Sequence, residues 1–333
     1  LLHEKPFAGI NGSGKHCNWS MSVRADAATL DGLNLLKPGK TPQQNLRFLV
    51  FLPAVLKGVH THAGLLRAGI ASSGNEHRLG ANEAPPAIIS VFMGDMLTTL
   101  IDGIIEGREH KPNGGAQQEL LKLGVSRLPE IERDNTDRNR TSPFAFTGNK
   151  FEFRAVGSSA SIAFPIVLLN AAVADALEQI TERLRAELKK TKDVDDAVLA
   201  VGREAFQESA SVRFEGNNYS EEWVKEAKKR GLPNVRSTPA ALGRLMSKES
   251  RTLLSRLGIL TEAELESRYA VRMERYIKDL MIEARMLRQL VDTHVLPAAF
   301  SYLNGLVAGA AQAKAGGVAV VPQVAAANEV ARK

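Results

Sequence analysis

Three stretches of the sequence carry polar residues in patterns that could bind an anion or a metal ion. The first is the turn Asn11-Gly12-Ser13-Gly14, which is followed by Lys15 and His16. Glycines let the backbone approach an anionic ligand closely, and an imidazole can bind a metal ion or a phosphate. A tight turn followed by an ordinary histidine accounts for the same residues equally well.

The same stretch also matches most of a nucleotide-binding phosphate loop. Residues 9–15 fit the pattern G-x-x-x-x-G-K, but His16 stands where that loop needs a Ser or Thr hydroxyl for magnesium. The loop must also open a helix, whereas the alternating residues from Asn18 onward predict a half-buried strand. These two mismatches count against a phosphate loop, but the partial match keeps a P-loop-like phosphotransferase as an alternative function.

The second stretch, residues 74–86, is a polar connection that ends in Pro85 and Pro86. Arg78 offers a bidentate fork for a carboxylate, and Glu83 offers an acceptor for a proton. A solvated loop before a helix is the ordinary interpretation of such a segment.

The third stretch is a strand pattern in which charged and aromatic residues alternate. Lys150, Glu152 and Arg154 share one face, while Phe151 and Phe153 pack on the other. One carboxylate between two cations suits a magnesium ion with a bound phosphate. A cross-strand ladder of ion pairs is the alternative.

The elements that must position these residues follow from apolar spacing. A long helix, straight or kinked, is predicted from Pro42, with an apolar face that continues to Leu66. A second helix is predicted after Pro86, and it carries Ile88, Ile89, Phe92, Met96, Leu97 and Leu100. After residue 160 the composition becomes helical throughout. Predicted helices cover residues 161–190, 195–210, 220–230, 239–257 and 261–296.

The amino-acid composition limits the class of protein to which the chain can belong. The 333 residues are 44% hydrophobic and 24% charged, which indicates a globular protein rather than a disordered one. The net charge of +6 is spread along the chain, so small anions are better expected partners than nucleic acid. A single cysteine predicts a reducing, cytoplasmic location, and we expect no membrane-spanning segment and no membrane partner.

In this order the three stretches resemble the glutamine synthetase family, and their residues are most similar to its type III, long-chain class. The phrases that carry the resemblance are HEKPFAGINGSGKH at 3–16, RLGANEAPPAII at 78–89 and NRTSPFAFTGNKFEFR at 139–154. The resemblance implies an α+β fold, with part of a glutamine synthetase-like catalytic sheet and outer helices at 1–192. A mostly α-helical C-terminal extension is expected at 193–333.

The resemblance also implies an activity and a role for each residue. The reaction is the ATP-dependent ligation of ammonia to glutamate through a γ-glutamyl phosphate, assisted by Mg²⁺ or Mn²⁺. The implied sites are metal ligands at His16 and Glu152, glutamate contacts at Asn11, Gly12, Arg78 and Arg154, nucleotide contacts at Ser20 and Lys150, and catalytic residues at Glu83 and Arg140. Asn18, Ala145 and Lys150 depart from the wider family, which has a histidine and two arginines there.

The resemblance finally bears on completeness. In the family the remaining magnesium ligands are glutamates on strands before the glycine turn, and subunits form homo-oligomeric rings that stack as dodecamers. We therefore expect this chain to be partial and inactive alone. A non-catalytic helical scaffold or regulatory module is the remaining alternative.

Overall fold

The fold is taken from a computed structural model, which describes residues 16–24, 31–39, 42–80, 86–106, 141–157 and 160–318, with residues 322, 325, 326 and 329 beyond. The chain forms two compact units, residues 1–273 and 274–333. The predicted division at residue 192/193 stays a prediction.

A four-stranded mixed sheet lies in the first unit. Its strands are β1 (Cys17–Trp19), β2 (Val91–Phe92), β3 (Phe144–Phe146) and β4 (Phe151–Phe153), in the spatial order β1-β4-β3-β2. β4 runs antiparallel to both of its neighbours, and β2 runs parallel to β3. β3 and β4 are joined by a tight turn in which Gly148 has φ 87°, a conformation that favours glycine. The small mixed sheet beside many helices confirms the α+β class.

Helices make up most of the remaining described structure. They are α1 (Pro42–Thr61), α2 (Ala63–Gly69), α3 (Ser73–Glu76), α4 (Asp95–Glu106), α5 (Ala163–Glu187), α6 (Val194–Glu208), α7 (Glu221–Lys229), α8 (Thr238–Gly243), α9 (Lys248–Arg256), α10 (Glu262–Leu290) and α11 (Leu296–Ala315).

One face of the sheet is aromatic and packs on α1 and α5. Phe144, Phe151 and Phe153 are fully buried, and the rings of Phe144 and Phe151 stack at a centroid distance of 4.9 Å. The indole nitrogen of Trp19 donates to Asn170 Oδ1 of α5 over 2.9 Å. Burial of this aromatic surface holds the sheet on the helices, which leaves its other face available for polar residues.

The helices under the sheet pack closely because small residues lie where they touch. A Cβ added at Gly58 of α1 would lie 2.7 Å from the carbonyl oxygen of Ala172 in α5. The same addition at Gly202 of α6 would lie 3.3 Å from Leu49 O of α1. Larger residues at these positions would push the helices apart.

The predicted long helix from Pro42 is broken at His62. α1 and α2 meet at an angle of 77°. His62 has the non-helical conformation φ −110°, ψ 25°, and its Nε2 lies 2.8 Å from Asp175 Oδ2 of α5. The apolar pattern continues across the break because both helices face the same core.

The predicted helix after Pro86 was wrong in its first half. Ile88 and Ile89 precede a strand, Phe92 belongs to β2, and the helix begins at Asp95. The run Ile-Ile-Ser-Val-Phe is rich in β-branched residues that suit a buried strand, and Gly94, with φ 83°, separates it from α4.

The later helices are confirmed with two changes. Residues 239–257 form α8, a 3₁₀ turn and α9 rather than one helix, and a π-helical turn at Val291–Val295 separates α10 from α11. A capping box starts α10, since Glu264 N donates to Thr261 Oγ1 and Thr261 N donates to Glu264 Oε2.

Among the described residues, α5 has the length and apolar composition to cross a membrane, as does the bent pair formed by α1 and α2. α5 buries Leu168, Leu169 and Ala172 inside the protein. A core helix of a folded domain meets the same criteria, and the expectation of no membrane partner stays a prediction.

Candidate functional site

The polar face of the sheet brings two predicted stretches side by side. Asn18 of β1 pairs directly with Glu152 of β4, and directly opposed residues of an antiparallel pair point to the same face. By this alternation the polar residues in and next to the two strands share the face opposite the phenylalanines. They are His16, Asn18 and Ser20 in or next to β1 and Lys150, Glu152 and Arg154 in or next to β4.

At one end of this face three charged or ionisable side chains are in contact. Glu152 Oε2 lies 3.2 Å from His16 Nδ1 and 3.2 Å from Arg154 Nε. The Glu152 side chain is 12% exposed and that of Arg154 is 3% exposed, whereas His16 is half exposed. A largely buried carboxylate therefore has an imidazole on its open side and a guanidinium on its inner side. We call His16, Glu152 and Arg154 the charged cluster.

The surroundings of His16 favour its neutral form. Burial is the largest cause that lowers the pKa of His16, and the positive charges of Arg154 and, more weakly, Arg78 lower it further. Glu152 acts in the opposite direction. A neutral imidazole keeps a lone pair for a metal ion, so the environment suits a ligand.

The charged cluster supplies two donors for a divalent cation, His16 and Glu152. Among them there is no group of three or more His, Cys, Asp or Glu that could hold a metal ion. The carboxylate of Glu152 and the imidazole of His16 are the donors that the charged cluster offers. This set suits Mg²⁺ or Mn²⁺ when further oxygens complete the coordination.

Arg78 is held beneath the charged cluster by neutral partners. It is 4% exposed, its Nε donates to Asn75 Oδ1 over 2.8 Å, and its Nη2 donates to Ala155 O and Val156 O over 2.9 and 3.2 Å. Its Nη1 makes no hydrogen bond to any group that the structure describes. Burial lowers the pKa of Arg78, but the guanidinium remains a cation at neutral pH.

At the other end of the polar face, neutral groups lie beside Lys150. The Ser20 hydroxyl lies within hydrogen-bond distance of Asn34 Oδ1 at 2.9 Å and donates to Asn149 O at 3.0 Å. Asn34 Nδ2 also donates to Asn149 O over 2.8 Å. These bonds tie the chain after β1 to the turn that carries Lys150, and we call Ser20, Asn34 and Asn149 the amide cluster.

The alternative of a phosphate loop lacks its required helix. The residues that follow His16 form β1, so the described chain continues as a strand where that loop needs a helix. Residues 9–15 themselves lie outside the described residues.

The chain was compared with known proteins. The family described as the glutamine synthetase C-terminal domain matches residues 197–314. A protein of Dictyostelium discoideum named "Type-3 glutamine synthetase" is 49% identical over 306 residues. The chain is thus similar to a type-3 glutamine synthetase.

Two bacterial relatives bear the name "Glutamine synthetase". The protein of Bacteroides fragilis (strain YCH46) is 46% identical over 307 residues, and that of Butyrivibrio fibrisolvens is 41% identical over 317 residues. Each alignment covers 92% of this chain and 40 to 42% of the relative. The chain thus spans about two fifths of the length of the glutamine synthetases that it matches.

The structure describes six of the ten residues that the resemblance assigns to a glutamine synthetase site. Four of the six, His16, Glu152, Arg154 and Arg78, lie close enough to interact through contact or charge. Ser20 and Lys150 lie toward the other end of the same two strands. The other four predicted residues, Asn11, Gly12, Glu83 and Arg140, lie outside the described residues.

Sequence reasoning missed two sets of residues. Asn34 and Asn149 are far apart in the chain, and no spacing rule connects them to Ser20. Asn75, which is 1% exposed, lies in the predicted polar connection of residues 74–86, but the sequence analysis did not predict its contact with Arg78. An asparagine three residues before an arginine in a short helical turn is the signal that could have indicated this contact.

Proposed function

We propose that the chain carries part of the active site for the ATP-dependent ligation of ammonia to glutamate, which yields glutamine. The observation that carries the proposal is the convergence of His16, Glu152, Arg154 and Arg78. The resemblance gives these four positions to a metal ligand pair and to two glutamate-binding arginines. The names of the relatives support the same reaction.

Glu152 and His16 would hold Mg²⁺ or Mn²⁺ in this proposal. The bound ion supplies positive charge that neutralises the oxygens of a transferring phosphoryl group. Arg154 contacts the inner side of Glu152 and fixes its carboxylate, which leaves the half-exposed His16 side open to ligands.

Arg78 would bind a carboxylate of glutamate. Its Nε and Nη2 are fixed by the protein, so its Nη1 side can meet an anion without the side chain having to become ordered first. A cation whose hydrogen-bond partners are neutral keeps its full attraction for that anion.

The remaining roles rest on the resemblance. Glu83 would accept a proton from ammonium and shield the acyl phosphate from water, and Arg140 would stabilise the phosphoryl group. Asn11 and Gly12 would contact glutamate, and Ser20 and Lys150 would contact ATP. The side-chain carboxylate of glutamate takes up the γ-phosphoryl group with loss of ADP, and ammonia then displaces phosphate.

A trapping experiment tests this proposal. The complete protein that carries this chain is supplied with ATP, Mg²⁺, glutamate and hydroxylamine in place of ammonia. We expect γ-glutamyl hydroxamate and an equal amount of ADP, because hydroxylamine attacks the same acyl phosphate. ADP release without dependence on glutamate would contradict a glutamyl phosphate and favour a different phosphotransferase.

The chain alone is expected to show no turnover. Its charged cluster offers a single carboxylate to a cation that prefers about six oxygen ligands. Robust glutamine formation by the purified chain without an added partner would refute this expectation.

Assembly into homo-oligomeric rings and a cytoplasmic location are further parts of the proposal that rest on sequence. Mass measurement of the complete protein in solution tests the assembly. A monomer that forms glutamine at full rate would refute the shared active sites that the resemblance implies.

A further inference from the structure

Asn75 is a buried residue in contact with the candidate site, and its side chain is fully engaged. It lies in the short helix α3 and is 1% exposed. Its Nδ2 donates to Ile70 O over 2.8 Å and to Ala155 O over 3.0 Å, and its Oδ1 accepts from Arg78 Nε over 2.8 Å. Both amide hydrogens are therefore used, which fixes the direction in which the acceptor oxygen points.

Asn75 and Arg78 share an acceptor. Ala155 O receives both Asn75 Nδ2 and Arg78 Nη2, the latter over 2.9 Å. Because Oδ1 of the same asparagine accepts from Arg78 Nε, the three groups close a ring of hydrogen bonds. Ala155 directly follows Arg154, so the ring connects the orientation of Arg78 to the strand end that carries the other predicted glutamate-binding arginine.

The neutral amide matters as much as the geometry. A buried guanidinium is usually balanced by a carboxylate, because an uncompensated charge in the interior is costly. The hydrogen-bond partners of Arg78 in the described chain are an amide oxygen and two backbone carbonyl oxygens. The positive charge is therefore oriented without being neutralised, which is what an arginine that binds an anionic substrate requires.

The chain after β4 lies directly beside the amide of Asn75. A Cβ added at Gly157 would lie 3.4 Å from Asn75 Oδ1, which is ordinary van der Waals contact. The glycine therefore leaves room for the acceptor oxygen that receives Arg78 Nε.

We propose that Asn75 is a positioning residue that aims Arg78 and keeps its charge available for the carboxylate of glutamate. This inference rests on the proposed function, since it gives Asn75 a role in the affinity for that substrate. Asn75 itself does not touch the substrate and acts through Arg78.

Two substitutions separate the two parts of this role. Asn75→Asp has the same shape and keeps the acceptor for Arg78 Nε, but it adds a negative charge and loses the donor to Ile70 O and Ala155 O. Asn75→Ala removes the ring altogether. In the complete protein we expect each to raise the KM for glutamate about tenfold or more, with the KM for ATP changed by less than about twofold.

Asn45→Ala is the matched control. Asn45 is also fully buried, and its Oδ1 accepts from Gly39 N over 3.0 Å in a different part of the structure. We expect this variant to lower the melting temperature by an amount similar to Asn75→Ala, with an unchanged KM for glutamate. Equal KM values for glutamate in Asn75→Asp and the unmodified protein would overturn the proposal.

A structural readout keeps the inference separate from the reaction. If the unmodified complete protein formed no glutamyl hydroxamate, the proposed function would fail, but crystal structures of the Asn75→Ala chain would still test the ring. Displacement of Arg78 Nη2 from Ala155 O is the expected result. An Arg78 side chain that keeps its place without Asn75 would overturn the positioning role, whatever the reaction is.

Discussion

The two ends of the polar sheet face are built differently although they share the same two strands. At one end the charged cluster joins His16, Glu152 and Arg154 through ionisable groups. At the other end the amide cluster joins Ser20, Asn34 and Asn149 through a hydroxyl, amides and a backbone carbonyl. The difference teaches that one end is organised around a carboxylate, while at the other end neutral groups hold the chain after β1 against the turn that carries Lys150.

Removing the carboxylate of the charged cluster should have the largest effect. Glu152→Gln keeps the shape of the side chain but removes the charge that would hold a divalent cation. We expect the rate of glutamine formation by the complete protein to fall by about a hundredfold or more, and Mn²⁺ affinity measured by electron paramagnetic resonance to fall with it.

Glu208→Gln is the control for this change, because Glu208 pairs with Lys57 and Arg183 away from the sheet face. Equal Mn²⁺ affinity in Glu152→Gln and Glu208→Gln would contradict the assignment of Glu152 as a ligand.

A buried arginine offers the second test of the charged end. Arg78→Lys keeps a positive charge but loses the planar fork, so we expect the KM for glutamate to rise about tenfold or more. Arg67→Lys is a close match, since Arg67 is 1% exposed and donates to Val235 O and Arg236 O. Both variants should melt at lower temperature, and a KM that rose as much in Arg67→Lys would show a general loss of structure instead.

A substitution at the end of the sheet face that carries the amide cluster should have a smaller effect. It should change the KM for ATP rather than the KM for glutamate. Lys150→Ala is expected to raise the KM for ATP about threefold to tenfold, because a partly exposed cation near a phosphate contributes modestly, while the KM for glutamate stays unchanged. Lys150→Arg should keep or improve the affinity for ATP. A larger effect on glutamate than on ATP would show that the two ends do not divide the substrates in this way.

The smallest expected effect is a dependence of stability on pH at the charged end. The pKa of His16 is lowered in the folded chain, mainly by burial, so the unfolded chain binds the proton more readily. Stability is therefore greater above about pH 6.5, the usual histidine pKa, and declines as the pH falls below it. In urea unfolding at pH 7.5 and pH 5.5, His16→Asn should lose slightly less stability than the unmodified chain, and an equal loss would contradict this.

Periodicity predicted those parts of the fold in which local sequence and packing agree. The alternation at residues 150–154 predicted the faces of β4, and Phe151 and Phe153 are buried as expected. The predicted helix of residues 161–190 was likewise found as α5. The segment around Ile88 failed because a short apolar run fits a helix and a strand equally well until its neighbours are known.

Local sequence patterns did not predict contacts between residues that are far apart in the chain. The ring around Asn75 closes on the backbone carbonyl of Ala155, 80 residues away, and a backbone carbonyl leaves no signature in the sequence. The side chain of His62 is 10% exposed and contacts Asp175 of α5, and the spacing of residues around His62 does not predict this contact. Such contacts arise from the packing of whole helices, which periodicity does not determine.

The strict alternation within β4 makes the chain sensitive to length as well as to residue type. An insertion or deletion of one residue between Phe151 and Arg154 would turn a phenyl ring toward the ligands and drive the carboxylate into the aromatic core. Point substitutions in β4 can cause small or large losses of function, depending on the residue. A change in the number of residues moves side chains to the wrong face of the strand in every case. Natural variants with such an indel should therefore have lost the metal ligand and the hydrophobic support of the sheet in a single event.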